Sequence, residues 1–265
     1  MTLRWHLAAI LITVAALSPC RGGDYPVTVV GSFQLPYVTD IRGMDYEEPS
    51  SLIFVSGNDQ RFYWCSANDG TVQGAWDLSP ENSAPYGLAN AFDFISINDM
   101  SDSFVYRFNG ASWSTFINPC GPEGRGMDSY GSSIWQVYRP PGAQNCSVCR
   151  MDENGVLLME WELEEVQEQC GGMTIFEVPS SYTGIAVVGI SSRTIFFYRY
   201  ADSRVTFLGT ADLPSGASSP EGLCFSENYG RFYLAGTDPS PSITILEIDG
   251  LSLDQATWAG IKRLF

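Results

Sequence analysis

Gly43-Met44, Gly87-Leu88, Gly126-Met127, Gly172-Met173 and Gly222-Leu223 are five copies of one signal, a glycine followed by leucine or methionine that opens an apolar run. Subtracting residue numbers gives separations of 44, 39, 46 and 50, and each copy leads into two or three strand-like segments broken by turn residues. Short strands recurring at that period are the sequence form of a β-propeller blade. The expectation is an all-β chain, a β-propeller of five four-stranded blades by repeat count, with six as the alternative count.

Working outward from the first copy, residues 43–46 and 51–56 are strand-like runs, Gly57-Asn58-Asp59 turns, and 61–65 continues as a third strand. Asn68-Asp69-Gly70 makes a tight hairpin, because Asn and Gly tolerate positive φ, and 71–78 returns as an edge strand. Repeats two to four follow the same order of apolar run, turn, apolar run. Residues 161–169, with Glu162, Glu164, Glu165 and Glu168, read as a strand end and an acidic loop rather than a helix, since the segment is short and runs into Cys170-Gly171-Gly172. The fifth repeat lacks a fourth strand. Residues 27–35 supply one, because Val27-Thr28-Val29-Val30-Gly31-Ser32-Phe33-Gln34-Leu35-Pro36 echoes Val205-Thr206-Phe207-Leu208-Gly209-Thr210-Ala211-Asp212-Leu213-Pro214. The N-terminal strand is therefore expected to close the ring, removing the exposed edges between first and last repeats. Domain organisation follows: a secretory signal over 1–23, the propeller over 24–250, and a C-terminal strand or tail over 251–265.

Pro220-Glu221-Gly222-Leu223, Pro85-Tyr86-Gly87-Leu88 and Glu123-Gly124-Arg125-Gly126-Met127 give this chain inner-strand openings that resemble those of exported propellers of the NHL and gluconolactonase-like kind. The resemblance covers residues 27–250 at the level of blade pattern. It implies fold rather than function. For the gluconolactonase-like enzymes it implies six blades and a divalent metal held by acidic and amide side chains.

Thirty acids against fourteen bases give a net charge of −16, a field that repels phosphate backbones and anionic membranes. Nucleic acid is excluded as a partner on that ground. The first six residues carry Arg4, residues 7–17 are an uninterrupted apolar or small run, and Ser18-Pro19-Cys20-Arg21-Gly22-Gly23 follows. Eleven such residues are too few to span a bilayer but suit the core of a secretory signal. Secretion or residence in a periplasm is expected, as a monomer without a membrane span. Lipid anchorage at Cys20 is the alternative, against which Pro19 argues, since a lipoprotein box has a small non-proline residue before its cysteine.

Six cysteines follow the signal: Cys65, Cys120, Cys146, Cys149, Cys170 and Cys224. An even number in an exported chain permits disulfides, in fifteen possible complete pairings. Cys120 and Cys170 stand in matching positions ahead of successive repeat glycines and are the expected pair. Cys146-Ser147-Val148-Cys149 has redox-motif spacing but lies in a strand, where residues three apart face opposite sides of the sheet, and no helix N-terminus is at hand to lower a thiol pKa.

The function classes left open are few. His6 is the only histidine and falls in the signal, which removes Ser-His-Asp triads, Cys-His pairs and histidine zinc sites. Lys262 is the only lysine, which argues against Schiff-base catalysis, and no phosphate-cradling glycine loop is present. Carboxylates remain. Loops entering the inner strands carry Asp40, Glu81, Glu123, Glu168 and Glu221, and those between second and third strands carry Asp59, Asp99 and Asp238. In a propeller both sets surround one mouth of the central channel. Asp40, Asp59, Glu123 and Glu221 are the candidate metal ligands, with Ca²⁺ the candidate ion because it takes six to eight oxygens. Arg42, Tyr86, Arg125 and Glu221 take the position just before a repeat glycine and are the candidate ligand-binding residues. The tryptophans Trp64, Trp76, Trp113, Trp135 and Trp161 fall in strands and are expected to pack between blades. The expected function is a non-catalytic recognition or scaffold module for a protein or glycan. The alternative is a calcium-type hydrolase or lactonase working through mouth carboxylates.

Overall fold

A computed structural model describes residues 23–251, apart from 58, 179–181, 215–218 and 238. The signal segment, Cys20, Asp238 and the tail beyond Leu251 therefore lie outside the described residues. Two strands precede the first repeat, β1 (Gly23–Asp24) and β2 (Val27–Gln34). Blade one follows as β3 (Ile41–Glu47), β4 (Leu52–Gly57), β5 (Arg61–Ser66) and β6 (Val72–Asp77). Blade two is β7 (Pro85–Ala91), β8 (Phe94–Asp99), β9 (Phe104–Phe108) and β10 (Trp113–Ile117). After a single 3₁₀ turn, Gly121–Glu123, blade three comprises β11 (Gly124–Tyr130), β12 (Ser133–Tyr138), β13 (Cys146–Met151) and β14 (Leu157–Leu163). Blade four is β15 (Cys170–Val178), β16 (Tyr182–Gly189), β17 (Thr194–Ala201) and β18 (Arg204–Asp212). Blade five has β19 (Pro220–Ser226), β20 (Arg231–Gly236) and β21 (Ser242–Ile248). Its fourth strand is β2, antiparallel to β21, so the N-terminal strand closes the ring as its echo of 205–214 implied. One addition was not foreseen: β1 pairs in parallel with the outer edge of β18.

Packing follows from strand alternation. Each blade buries both faces, and five apolar layers result, one per interface. Between blades one and two lie Phe62, Leu88, Ile97 and Phe108, with Trp64 and Trp113 packed against them. Between blades three and four Trp135 stacks on Trp161 at 5.4 Å between ring centroids. The strand tryptophans are interblade wedges, as expected.

The five inner strands, β3, β7, β11, β15 and β19, surround the axis, and there the repeat glycine explains itself. A Cβ on Gly43 would lie 2.6 Å from Cα of Gly87, one on Gly126 2.6 Å from Cα of Gly172, and one on Gly172 2.8 Å from Cα of Gly222. With only five blades the inner strands approach until backbones touch, and glycine is the residue that leaves room for that contact.

Below this glycine level, side chains fasten each blade to the next. Asp45 accepts the Asn90 amide at 2.6 Å, and Asp128 accepts the Ile175 amide at 2.6 Å and the Thr174 hydroxyl at 2.7 Å. The Ser129 hydroxyl donates to the Asn90 carbonyl, Glu227 accepts the Glu177 amide, and Glu48 accepts the Glu227 amide. All five interfaces are latched in this way, four of them by a carboxylate accepting a backbone N–H. Part of the acid content is therefore structural, serving as acceptors for amides that the sheets leave unpaired.

Candidate functional site

The upper mouth is built by an irregularity common to every blade. In each inner strand the register against the second strand slips at the repeat glycine: between Ile41 and Gly43, Tyr86 and Leu88, Gly124 and Met127, Cys170 and Met173, and Pro220 and Gly222. A bulge inserts an unpaired residue and re-aims its side chain. Among the residues so displaced are Arg42, Arg125 and Glu221, three of the four candidates for ligand binding. Tyr86 stands beside the fourth bulge, where Gly87 has a φ of 58° and a Cβ would meet the Arg125 carbonyl oxygen at 2.3 Å.

These four residues converge. The Tyr86 hydroxyl donates to Glu221 at 2.5 Å, across from blade two to blade five. The Arg125 guanidinium lies 4.9 Å from the centroid of the Tyr86 ring and reaches the Met100 sulfur at 2.6 Å. With the Gln169 amide oriented oxygen-inward, as its hydrogen-bond network demands, it accepts from Arg125 Nε at 3.3 Å. Tyr86 and Arg125 are buried, at 1% and 8% exposure, and form the floor. Arg42, Asp40 and Glu221 are part-exposed and form the rim. Arg42 is ion-paired with Asp40, which also accepts the Thr237 hydroxyl at 2.9 Å.

The electrostatics follow from that arrangement. Burial pushes the Glu221 carboxyl above its ordinary range, while the Tyr86 hydrogen bond and the charges of Arg42 and Arg125 pull it back and Asp40 adds to the rise. Burial, and then the Glu221 charge, raise the Tyr86 phenol well above its usual value. The mouth can therefore offer a ligand two guanidinium groups and a carboxyl whose proton is held more tightly than in water.

The four candidate metal ligands do not form one set. Asp40 and Glu221 are close enough to feel each other's charge, but Asp59 accepts the Tyr63 hydroxyl and Glu123 sits in the turn Gly121–Glu123. Among the described residues no three acids, cysteines or histidines gather in a metal-holding group. Glu168 instead accepts the Ser191 and Ser192 amides, and Asp99 the Ser83 and Ser101 amides. Their loops are organised by their own carboxylates.

The expected Cys120–Cys170 pair is corrected. Cys120 is bonded to Cys149 of β13, across the interface of blades two and three. Matching positions in successive blades lie a blade apart, whereas Cys149 points from blade three directly at Cys120. Cys146, three residues earlier, points the other way and meets Cys170 with 2.8 Å between sulfurs. The opposite facing of the C-x-x-C residues is as the strand geometry required.

Gln169, Met100 and Thr237 were missed. A signal for Gln169 existed: it stands three residues before its repeat glycine, as Asp40 does before Gly43. The bulges left no composition signal, being a property of cross-strand register.

Neither a protein-family profile nor a curated protein matches the sequence. The fold does match solved structures. It is similar to a glutaminyl cyclase from Myxococcus xanthus, with a TM-score of 0.65 and 12% identity over 86% of this chain and 98% of the other. It is also similar to a candidate gluconolactonase, with a TM-score of 0.56 and 12% identity over 85% and 92% of the two chains. At such identities the likeness is one of fold, and it agrees with the all-β propeller that the five four-stranded blades form.

Proposed function

We propose that this chain is an exported, non-catalytic recognition module that binds a protein or glycan at the upper mouth of its propeller. The observation that carries the reading is the state of the mouth's charges. Arg42 is matched by Asp40, Glu221 by Tyr86, and Arg125 by Tyr86, Met100 and Gln169. Such a surface is rigid and polar, ready to exchange a rim partner for a ligand group, and it does not concentrate several acids on one reacting atom. The Cys120–Cys149 bond fits residence outside the cytoplasm, and no helix among the described residues is long and apolar enough to cross a membrane.

The test is binding of the full chain to arrayed glycans and to peptides, followed by calorimetry of any hit against Arg42→Ala and against Arg61→Ala on the outer part of blade one. Loss of a charge-assisted contact of about 1.5–3 kcal/mol predicts roughly tenfold to hundredfold weaker binding for Arg42→Ala and none for Arg61→Ala. Equal affinity of Arg42→Ala and the parent chain would remove the mouth from the recognition surface.

The second reading is a calcium-type hydrolase or lactonase, and it draws on Glu221. A part-buried carboxyl whose pKa burial raises above its ordinary range, hydrogen-bonded to a phenol, is the kind of group that serves in acid–base chemistry. On this reading Asp40 and Glu221 hold the ion, and Ca²⁺ raises the unfolding midpoint of the parent chain beyond NaCl at equal ionic strength, an excess that Asp40→Ala or Glu221→Ala removes. No such excess with Ca²⁺, Mg²⁺ or Mn²⁺ sinks it.

A further inference from the structure

We infer that Cys146 and Cys170 form a second disulfide, so that the C-x-x-C of blade three clasps the blades on both its sides. Geometry carries the inference. Cys146 opens β13 and Cys170 opens β15, in adjacent blades, and their sulfurs stand 2.8 Å apart, closer than two unbonded sulfur atoms would choose to pack. Both thiols are buried in the layer between blades three and four. The segment between them is pinned at each end: the Cys146 amide donates to the Val166 carbonyl at 2.9 Å, and the Gln169 carbonyl accepts the Ile190 amide at 3.1 Å. The opposite face of the same strand already carries the Cys120–Cys149 bond.

The chemistry balances with one co-reactant. The thiolate is the species that exchanges, and because both thiols are buried in the closed ring the exchange takes place while blades three and four assemble. Cys146 attacks the disulfide of a thiol–disulfide oxidoreductase, Cys170 then displaces that protein from the mixed disulfide, and the oxidoreductase leaves as a dithiol carrying the two electrons and two protons. One S–S bond forms here as one breaks there.

The consequence reaches the mouth. Gln169, which holds Arg125, immediately precedes Cys170, so the bond would tether the residue behind the floor of the site to the core of blade three. The inference does not depend on what the mouth binds.

Trypsin leaves Cys146 and Cys149 on one peptide, since no arginine or lysine separates them and Pro140 protects Arg139, so the pairing is resolved by a variant that keeps only one of the two. The full chain, secreted through an oxidising compartment, is alkylated under denaturing conditions without reductant and digested. Two disulfides join peptides 108–125, 126–150 and 151–193 into one species. In the Cys120→Ser/Cys149→Ser double variant, 126–150 and 151–193 remain joined, lighter by two hydrogen atoms than their sum. Should the variant fail to fold, fragmentation of the parent species assigns the same bond. Release of 151–193 with Cys170 alkylated, or a link from Cys170 to any residue other than Cys146, overturns the inference.

Discussion

Gly126 shows most directly how one residue fixes this architecture. A Cβ there would lie 2.3 Å from the Met173 backbone nitrogen, and backbone cannot rotate away as a side chain can. Gly126→Ala is therefore expected to cost about 1–3 kcal/mol by overpacking, read as a lower urea midpoint with unchanged slope. A midpoint equal to the parent's would mean the inner ring is looser than drawn. Glu227 offers a second test at this scale. Burial, with the nearby charges of Glu177, Glu48 and Asp128, pushes its carboxyl from 4.5 to about 7, partly offset by the amide of Glu177. A carboxyl raised in the folded state binds its proton more tightly there than when unfolded. Its stabilisation is present below pH 4.5 and is lost as pH rises towards 7. Asp45 and Asp128, raised by burial, act in the same direction. Glu227→Gln should flatten the fall in unfolding midpoint between pH 4.5 and 7 relative to the parent chain. A parallel pair of profiles would show that Glu227 is solvated in both states.

At the scale of elements, the closing strand and the interblade bond carry the predictions. Without β2, the edge of β21 from Ser242 to Ile248 would present unpaired amides and carbonyls, along with Leu246 and Ile248 that now belong to the core. A chain lacking residues 1–34 should lose cooperative unfolding or self-associate, as seen by sedimentation; a monomer with the parent's midpoint would show that the ring needs no such closure. The Cys120–Cys149 bond closes a loop with a sequence separation of 29, and Cys120→Ser/Cys149→Ser should cost about 2–4 kcal/mol in chemical unfolding. These elements also show what sequence could and could not convey. The repeat glycines, the outer strand of blade five and the opposite facing of Cys146 and Cys149 were legible, because strand alternation and repeat period are local properties. The partner of Cys120 was not, because position within a repeat says nothing about which face of the next blade a thiol meets. Arg42, Tyr86, Arg125 and Glu221 are singled out by their place before the glycine, yet the bulges that bring them together, and the Gln169 amide behind Arg125, depend on pairing between strands. Asp59, chosen for its loop, went instead to the Tyr63 hydroxyl four residues away, a contact made by the local strand geometry.

Across the whole molecule the net charge of −16 is a folding force of its own. Only three ion pairs are formed among the described residues, by Arg42, Arg61 and Arg231, so most carboxylates there have no cationic partner, and several accept amide or hydroxyl hydrogen bonds instead. Self-repulsion of that kind weakens the compact state and is screened over roughly 10 Å at 0.1 M salt. The unfolding midpoint should therefore climb as NaCl rises from about 10 mM to 0.2 M, where the screening length drops from about 30 Å to below 10 Å, and then level off. This ionic-strength response decides how a calcium experiment is read. Ca²⁺ screens as well as binds, so a bare rise in midpoint with CaCl₂ is expected of any chain this acidic. A site at Asp40 and Glu221 requires a rise beyond that of NaCl at equal ionic strength, and one that Glu221→Ala removes while leaving the NaCl response intact. Identical curves for the two salts would assign the acids to solvation and to the latches between blades, leaving recognition at the mouth to Arg42 and its neighbours.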